Sequence, residues 1–291
     1  MKIAFLGDLH GRVFHALALI VAWQATMAEP LDLVIQVGDM GAFPHAEAML
    51  KDEATRRYAA EDPGELGFCQ LLQAGGTLAE NLRSIRQRLP GPIYFLRGNH
   101  EDASWLHGLS QQGQKQTVGV DPFDLFHYVT DGVILKHDGV KIAFFGGVEN
   151  PEPGQVDAEH DRDAYTHFLH MAPGAFDILV THDPPYGISI GYRGQVQGSS
   201  RVLDLIEAVQ PKYHIAGHLH TVLGPKQYGA TTYIGLSGIL LPKRQVSSRV
   251  FQPGCMAILD TLTGTLDYVN DDWLSDLDQH FVFETFVEKL T

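Results

Sequence analysis

Cysteine is scarce in this sequence of 291 residues: only Cys69 and Cys255 occur, far apart and outside any metal-ligand spacing. A disulfide framework and a zinc knuckle are thereby excluded, and a reducing, cytoplasmic setting is expected. Long apolar runs are missing as well. No stretch reaches about 18 uncharged apolar residues, so no membrane span is expected. The run Val13 to Trp23 has the length of a signal-peptide core, but Asp8, His10 and Arg12 precede it and Glu29 closes it without a small-residue cleavage site. It reads as a buried helix. Positive charge is in deficit, with 21 Lys and Arg against 35 Asp and Glu and a formal net charge of -14. Such a balance repels nucleic acid and other polyanions as a whole. The deficit is uneven: no acid occurs between Glu207 and Asp260, where Lys212, Lys226, Lys243, Arg244 and Arg249 lie. From Asp260 onward, eight acids stand against Lys289 alone, a solvated acidic face.

What is present is an ordinary globular balance, 44% hydrophobic and 19% charged, enough for a sizeable core. Residues 1–291 are expected to form one domain, with no internal repeat and no low-complexity segment. The chain begins as a βαβ unit: Lys2 to Leu6, a helix to Ala28, then Leu31 to Val37. Both apolar runs end in Gly-Asp, at Gly7-Asp8 and Gly38-Asp39, so the two aspartates should lie side by side at the carboxyl ends of neighbouring strands. Residues 40 to 90 read as a helical insertion acting as a cap, with helices near His45 to Ala60 and Gly76 to Leu89. Further strands are expected at Pro92 to Leu96, Val133 to Lys136, Val140 to Phe145, Phe176 to Thr181, Lys212 to Ala216, Thr231 to Ile234 and Cys255 to Val269. Helices are expected at Ser199 to Val209 and at the C-terminus.

Polar groups follow the strand ends: Asp8 and His10, Asp39, Asn99 and His100, His182, then His218 and His220. Carboxylate, imidazole and neutral amide oxygen suit hard or borderline divalent cations such as manganese, iron and zinc. If alternate residues point to one side, the Asp-x-His and the His-x-His pairs each grip one metal and Asp39 bridges them. Each dipeptide alone is more often a turn or a helix cap; five in order at strand ends are not. The other ten histidines, including the i, i+3 pair His167 and His170, are assigned no role.

Gly-Asp-Leu-His-Gly (7 to 11), Gly-Asp-Met (38 to 40), Gly-Asn-His-Glu (98 to 101), Thr-His (181 to 182) and Gly-His-Leu-His (217 to 220) together resemble the motifs of calcineurin-like metallophosphoesterases. The resemblance implies a four-layer αββα sandwich of the α+β class, two mixed sheets flanked by helices. It implies one metal on Asp8, His10, Asp39 and His220, a second on Asp39, Asn99, His182 and His218, and His100 left to assist the leaving group. Many relatives continue the second motif as Gly-Asp-x-x-Asp; here Asp39 is followed by Met40-Gly41-Ala42-Phe43, so Glu101 or Asp102 is the expected partner for His100. The second half, with Gln210-Pro211, His218-Leu219-His220, Leu241-Pro242-Lys243-Arg244 and Phe251-Gln252, is similar to RNA lariat debranching enzymes, whose eukaryotic members carry Cys where Asp8 stands.

The expected activity is hydrolysis of a phosphate ester, a phosphodiester before a monoester, by hydroxide bridging two divalent ions, manganese first, with iron, zinc or nickel as alternatives. Asp39 and His100 are the expected catalytic residues, and Lys243 and Arg244 the expected contacts to substrate phosphate. A nucleotide or RNA is the expected partner, with no membrane and no protein partner. The alternatives are a dinucleoside polyphosphate hydrolase, a phosphomonoesterase and a non-catalytic, metal-dependent docking module.

Overall fold

The computed structural model describes residues 1–51, 53–112, 115–152, 155–191, 194–240 and 251–290. The chain opens with strand β1 (Lys2–Leu6), helix α1 (Val13–Met27) and strand β2 (Leu33–Gln36), the expected βαβ start. Helices α2 (Ala46–Met49), α3 (Glu53–Glu61), α4 (Gly67–Leu72) and α5 (Gly76–Arg86) precede β3 (Ile93–Phe95). Helix α6 (Ala103–Gln111) leads into β4 (Thr117–Gly119) and β5 (Phe126–Val129), two strands the sequence pattern did not reveal. The hairpin β6 (Ile134–His137) and β7 (Val140–Phe145) is followed by α7 (Arg162–Leu169), β8 (Ile178–Thr181), α8 (Ser200–Val209) and β9 (Tyr213–Ala216). Strands β10 (Leu223–Tyr228), β11 (Thr231–Gly235), β12 (Met256–Asp260) and β13 (Thr265–Tyr268) come next, with helix α9 (Phe283–Glu288) last.

One sheet has the order β13-β12-β1-β2-β3-β5-β4 and the other β10-β11-β9-β8-β7-β6. Both are mixed, and the strands that carry the motifs are parallel: β1 with β2, β2 with β3, and β7 with β8 with β9. Period-two patterning sets the layers. Ile3 and Phe5 of β1, Ile142 and Phe144 of β7, and Ile178 and Val180 of β8 share one core cluster between the sheets. Their neighbours Ala4 and Leu6 turn to the opposite side, into a second cluster with Leu17, Ile20 and Trp23 of α1 and Phe283 of α9. Ala143, Phe145 and Leu179 turn outward from the other sheet onto Phe168 of α7 and Leu205 and Ile206 of α8. The result is helix, sheet, sheet, helix, the expected αββα sandwich. The helical segment after Asp39 sends Phe68, Leu71, Leu82 and Ile85 into the outer cluster beside α1, so it thickens that helical layer. No helix among the described residues is long and apolar enough to cross a membrane.

Local chemistry fixes where the elements stop. Helix α8 starts at Ser199, whose hydroxyl accepts from the Val202 amide at 3.2 Å, and ends at Gln210 in the left-handed region. The last residue of β2, Gln36, is fully buried inside what reads as an apolar run. Its side-chain amide donates to the carbonyls of Gly7 at 3.1 Å and Gly38 at 2.5 Å and accepts from the Gly38 amide at 3.1 Å, tying the first two strand ends together. Arg97, after β3, is held the same way: Nε donates to Asp131 at 2.7 Å, and its remaining nitrogens donate to the carbonyls of Asp157 at 3.0 Å and Glu159 at 2.7 Å.

Two outcomes test this framework. Gln36→Leu keeps the bulk and strands three buried backbone groups, so it should cost about 3 kcal/mol or more in urea unfolding. His214 of β9 is fully buried, touching Thr181 Oγ1 at 2.8 Å and the ring of Tyr233, and burial pushes its pKa down to about 3. The unfolded imidazole titrates near 6.5 and so binds more protons than the folded one below that value, which makes stability fall as pH drops from about 6.5 toward 3. His214→Asn should therefore flatten the stability slope between pH 6 and 5, by about 1 kcal/mol per pH unit in parallel unfolding titrations.

Candidate metal centre

The polar groups expected at strand ends all meet at one edge of the sandwich. Asp8 follows β1, Asp39 follows β2, Asn99 and His100 follow β3, His182 follows β8, and His218 and His220 follow β9. Among the described residues, two sets bring their ligand atoms within 4.8 Å of one another: Asp8, His10, Asp39 and His220, and Asp39, His182 and His218. Asp39 belongs to both. Its Oδ2 lies 3.7 Å from His10 Nε2 and its Oδ1 lies 3.3 Å from His182 Nε2. Asn99 Oδ1 is 3.2 Å from the same His182 nitrogen, which brings it to the second set. In the first set, His220 Nε2 is 2.9 Å from Asp8 Oδ2 and 2.9 Å from His10 Nε2.

The two sheets are joined across this centre. His182 Nδ1–H donates to the Val37 carbonyl at 2.9 Å, which orients the ring and turns Nε2 toward Asp39. The His218 amide donates to both oxygens of Asp8 at 3.1 Å, and the amides of Asn99 and His100 donate to Asp39 Oδ1 at 2.8 Å. Holding the groups so close requires unusual backbone. His10, Asp39, His218 and His220 have φ of 47°, 54°, 70° and 50°, a region that costs a non-glycine residue on the order of 1 kcal/mol or more. Two motif glycines provide room: a Cβ on Gly98 would stand 2.3 Å from Asp39 Oδ1, and one on Gly217 would stand 2.2 Å from Asp8 Oδ1.

Charge and burial are set against each other here. Burial would raise the Asp39 carboxyl, yet His182 and His10 hold it well below the usual range; Asp8 is lowered in the same way, chiefly by His220. Burial would discharge His182, but Asp39, with Asp8 and Glu101, raises it to about 10. His10 goes the other way, down to about 3, through burial and the neighbouring His100. Two buried carboxylates are thus held ionised by the imidazoles around them, and the donor set of carboxylate, imidazole and amide oxygen fits divalent cations.

Three sequence expectations need correction or completion. The histidines of Gly-His-Leu-His do not grip one metal together: both lie in the left-handed region, so they diverge, His220 to the first set and His218 to the second. Neither Glu101 nor Asp102 serves His100. Glu101 accepts from the amides of Met40 at 2.5 Å and Gly98 at 2.8 Å, with its pKa pushed up to about 8 by burial and Asp39, while Asp102 caps α6 through the Trp105 amide at 3.0 Å. The His100 ring instead packs edge-on against His10, centroids 4.8 Å apart. Lys243 and Arg244 lie outside the described residues. Sequence reasoning missed Gln36, a polar residue closing an apolar strand, and Asp183, a carboxylate directly after His182; each stood out only by its position.

Known proteins are similar to this chain to different extents. A UPF0046 protein of Caenorhabditis elegans is 30% identical over 142 residues, 47% of this chain and 48% of that one. A lariat debranching enzyme of Drosophila melanogaster is 25% identical over 251 residues, 76% of this chain and 43% of that one. The chain thus spans less than half the length of either relative. A solved structure superposes with a TM-score of 0.54 at 14% identity, covering 92% of this chain and 98% of its own, a likeness of fold. A family model described as calcineurin-like phosphoesterase matches residues 1–222, from β1 through the Gly-His-Leu-His loop, and the chain belongs to that family.

Proposed function

We propose that the chain hydrolyses phosphate esters, phosphodiesters in preference to monoesters, at a centre of two divalent cations. One would be held by Asp8, His10, Asp39 and His220, the other by Asp39, Asn99, His182 and His218. The observation that carries this reading is the shared carboxylate: the two oxygens of buried Asp39 face different donor sets, at 3.7 Å and 3.3 Å from the nearest imidazole nitrogen of each. When bound, such a pair of cations acidifies water and neutralises phosphate charge, and manganese is the first to test, before iron, zinc and nickel.

The residues of the chain supply orientation and a proton. Asp39 is immobilised by the amides of Asn99 and His100, and His182 by the Val37 carbonyl, so the donor sets are preformed. His100 is anchored through its amide, and its half-buried ring borders His10 at the rim of the first set. From there it can donate to the oxygen on which charge develops as the ester bond breaks. The preference for a diester is supported by the likeness to a lariat debranching enzyme over 76% of the chain and by the acid-free segment before Asp260. Within that segment Lys243 and Arg244 are the proposed phosphate contacts, and RNA or a nucleotide the proposed substrate. Residues 1–291 are taken as one such domain, working in the cytoplasm.

A chromogenic bis-aryl phosphate, assayed beside the aryl monoester in manganese and in chelator, tests the proposal. Manganese-dependent diester cleavage that disappears with Asp39→Asn is the expected result. Two bound metals with neither ester cleaved would leave a docking module, and monoester cleavage alone would overturn the preference. His100→Gln should retain both metals while kcat falls about 10²–10⁴-fold, as loss of a general acid requires.

A further inference from the structure

We infer that Asp183 is a positioning residue for the second donor set, facing the Nε2 edge of His218 so that Nδ1 is the atom turned toward Asp39 and His182. The inference rests on the two-cation reading above and adds the group that orients one ligand. Asp183 directly follows His182 and is buried, with 6% of its surface exposed. A carboxylate so placed is costly unless donors meet it. Its Oδ2 accepts from the Glu149 amide at 2.9 Å, and its own carbonyl accepts from the Thr181 hydroxyl at 2.6 Å, so neither backbone nor side chain is free to turn. The other oxygen, Oδ1, faces His218 Nε2 at 3.8 Å, an ion-pair separation longer than a hydrogen bond.

An imidazole has two nitrogens at opposite edges of the ring. With Nε2 turned to Asp183, Nδ1 is the one left for the cluster that His218 forms with Asp39 and His182. His182 is held in the opposite sense: its Nδ1–H is bound by the Val37 carbonyl, and Nε2 faces Asp39. The rings of His182 and His218 sit edge to face, with centroids 4.9 Å apart. One ligand of the set is thus backed by a neutral carbonyl and the other by an anion. A carboxylate behind a ligating histidine fixes the ring and raises its basicity, and a cation on Nδ1 in turn makes Nε2–H a stronger donor to that carboxylate. Behind Asp183 lies buried His160, with Nε2 3.9 Å from Oδ2 and its ring 4.5 Å from that of Phe145.

Asp183→Asn tests this, because the amide keeps the volume and an oxygen for the Glu149 amide while removing the charge. Manganese titrations by calorimetry on the full chain are expected to show two binding steps in the parent and, in Asp183→Asn, one of them weakened about 10–100-fold with the other unchanged. Asp183→Glu, which keeps the charge on a longer arm, should fall between. With cobalt as the probe, the d–d absorption should change for one of two sites only. Two unchanged affinities in Asp183→Asn would overturn the inference and leave the two-cation reading intact. Fewer than two steps in the parent would overturn that reading itself. Circular dichroism in chelator reports the fold separately, and if both variants unfold there, Asp183 is a packing residue and the inference fails.

Discussion

Two carboxylates buried side by side are what the rest of this structure has to accommodate. Asp8 and Asp39 end adjacent parallel strands, and each is almost fully shielded from water. Like charges at that depth repel and lose their hydration, so every group around them must supply positive potential. Backbone amides do so for Asp39 from the β3 end and for Asp8 from the β9 end. Imidazoles come from both sheets, and His182 also binds the Val37 carbonyl of the opposite sheet. The spacing that lets this happen is set by the apolar layer between the sheets, where Phe5, Ile35, Phe144, Val180 and Ile215 pack together. The core therefore acts as a gauge: it brings two sheets close enough for one carboxylate to be reached from both.

Strands that carry motifs were legible because each is a short β-branched or aromatic run that ends in polar side chains, preceded by Gly after β1, β2, β3 and β9 and following Thr181 directly after β8. Strands β4, β5 and β10 lacked that punctuation. Thr117–Gly119 and Phe126–Val129 lie in a segment rich in Gln, Asp and Gly, and Leu223–Tyr228 has exposed polar residues and Pro225. Each is short or at a sheet edge, where pairing with a neighbour decides the conformation and local preference does not. Helix α4 was hidden because breakers surround it and because its role is tertiary, with Phe68 and Leu71 meeting α1.

The grouping of the polar side chains was legible in the sequence, and its geometry less so. Asp8, His10, Asp39, Asn99, His182, His218 and His220 do come together. Their pairing could not be inferred from alternation, because period-two reasoning assumes extended backbone and the Gly-His-Leu-His loop is left-handed at both histidines. The motif glycines carry a similar lesson. Glycine before a polar residue reads as a turn former, whereas Gly98 and Gly217 are needed for space, since any side chain there would displace the carboxylate of Asp39 or Asp8. Gln36 and Asp183 act through partners distant in sequence, so nothing nearby in the chain marks them.

An overall charge of -14 sets this protein against an anionic substrate, and the sheet register relieves part of that conflict. Strand β12 runs antiparallel to β1, with Met256 opposite Leu6 and Asp260 opposite Lys2. The end of the acid-free segment at Cys255 therefore lies at the end of β1 that leads to Asp8, and the Cys255 carbonyl accepts from the Gly7 amide there at 2.9 Å. The acids begin at the other end, where Asp260 lies 3.5 Å from the Lys2 ammonium. Lys2 and Asp8 are separated by six steps of extended chain, roughly 20 Å at about 3.3 Å per residue. That exceeds the roughly 8 Å over which exposed charges are felt at physiological ionic strength. Asp260 thus contributes little to the potential met by a phosphate at the centre, whereas β13 runs back toward that end, with Tyr268 opposite Ala257, so the acids that follow it are not set apart by the same distance.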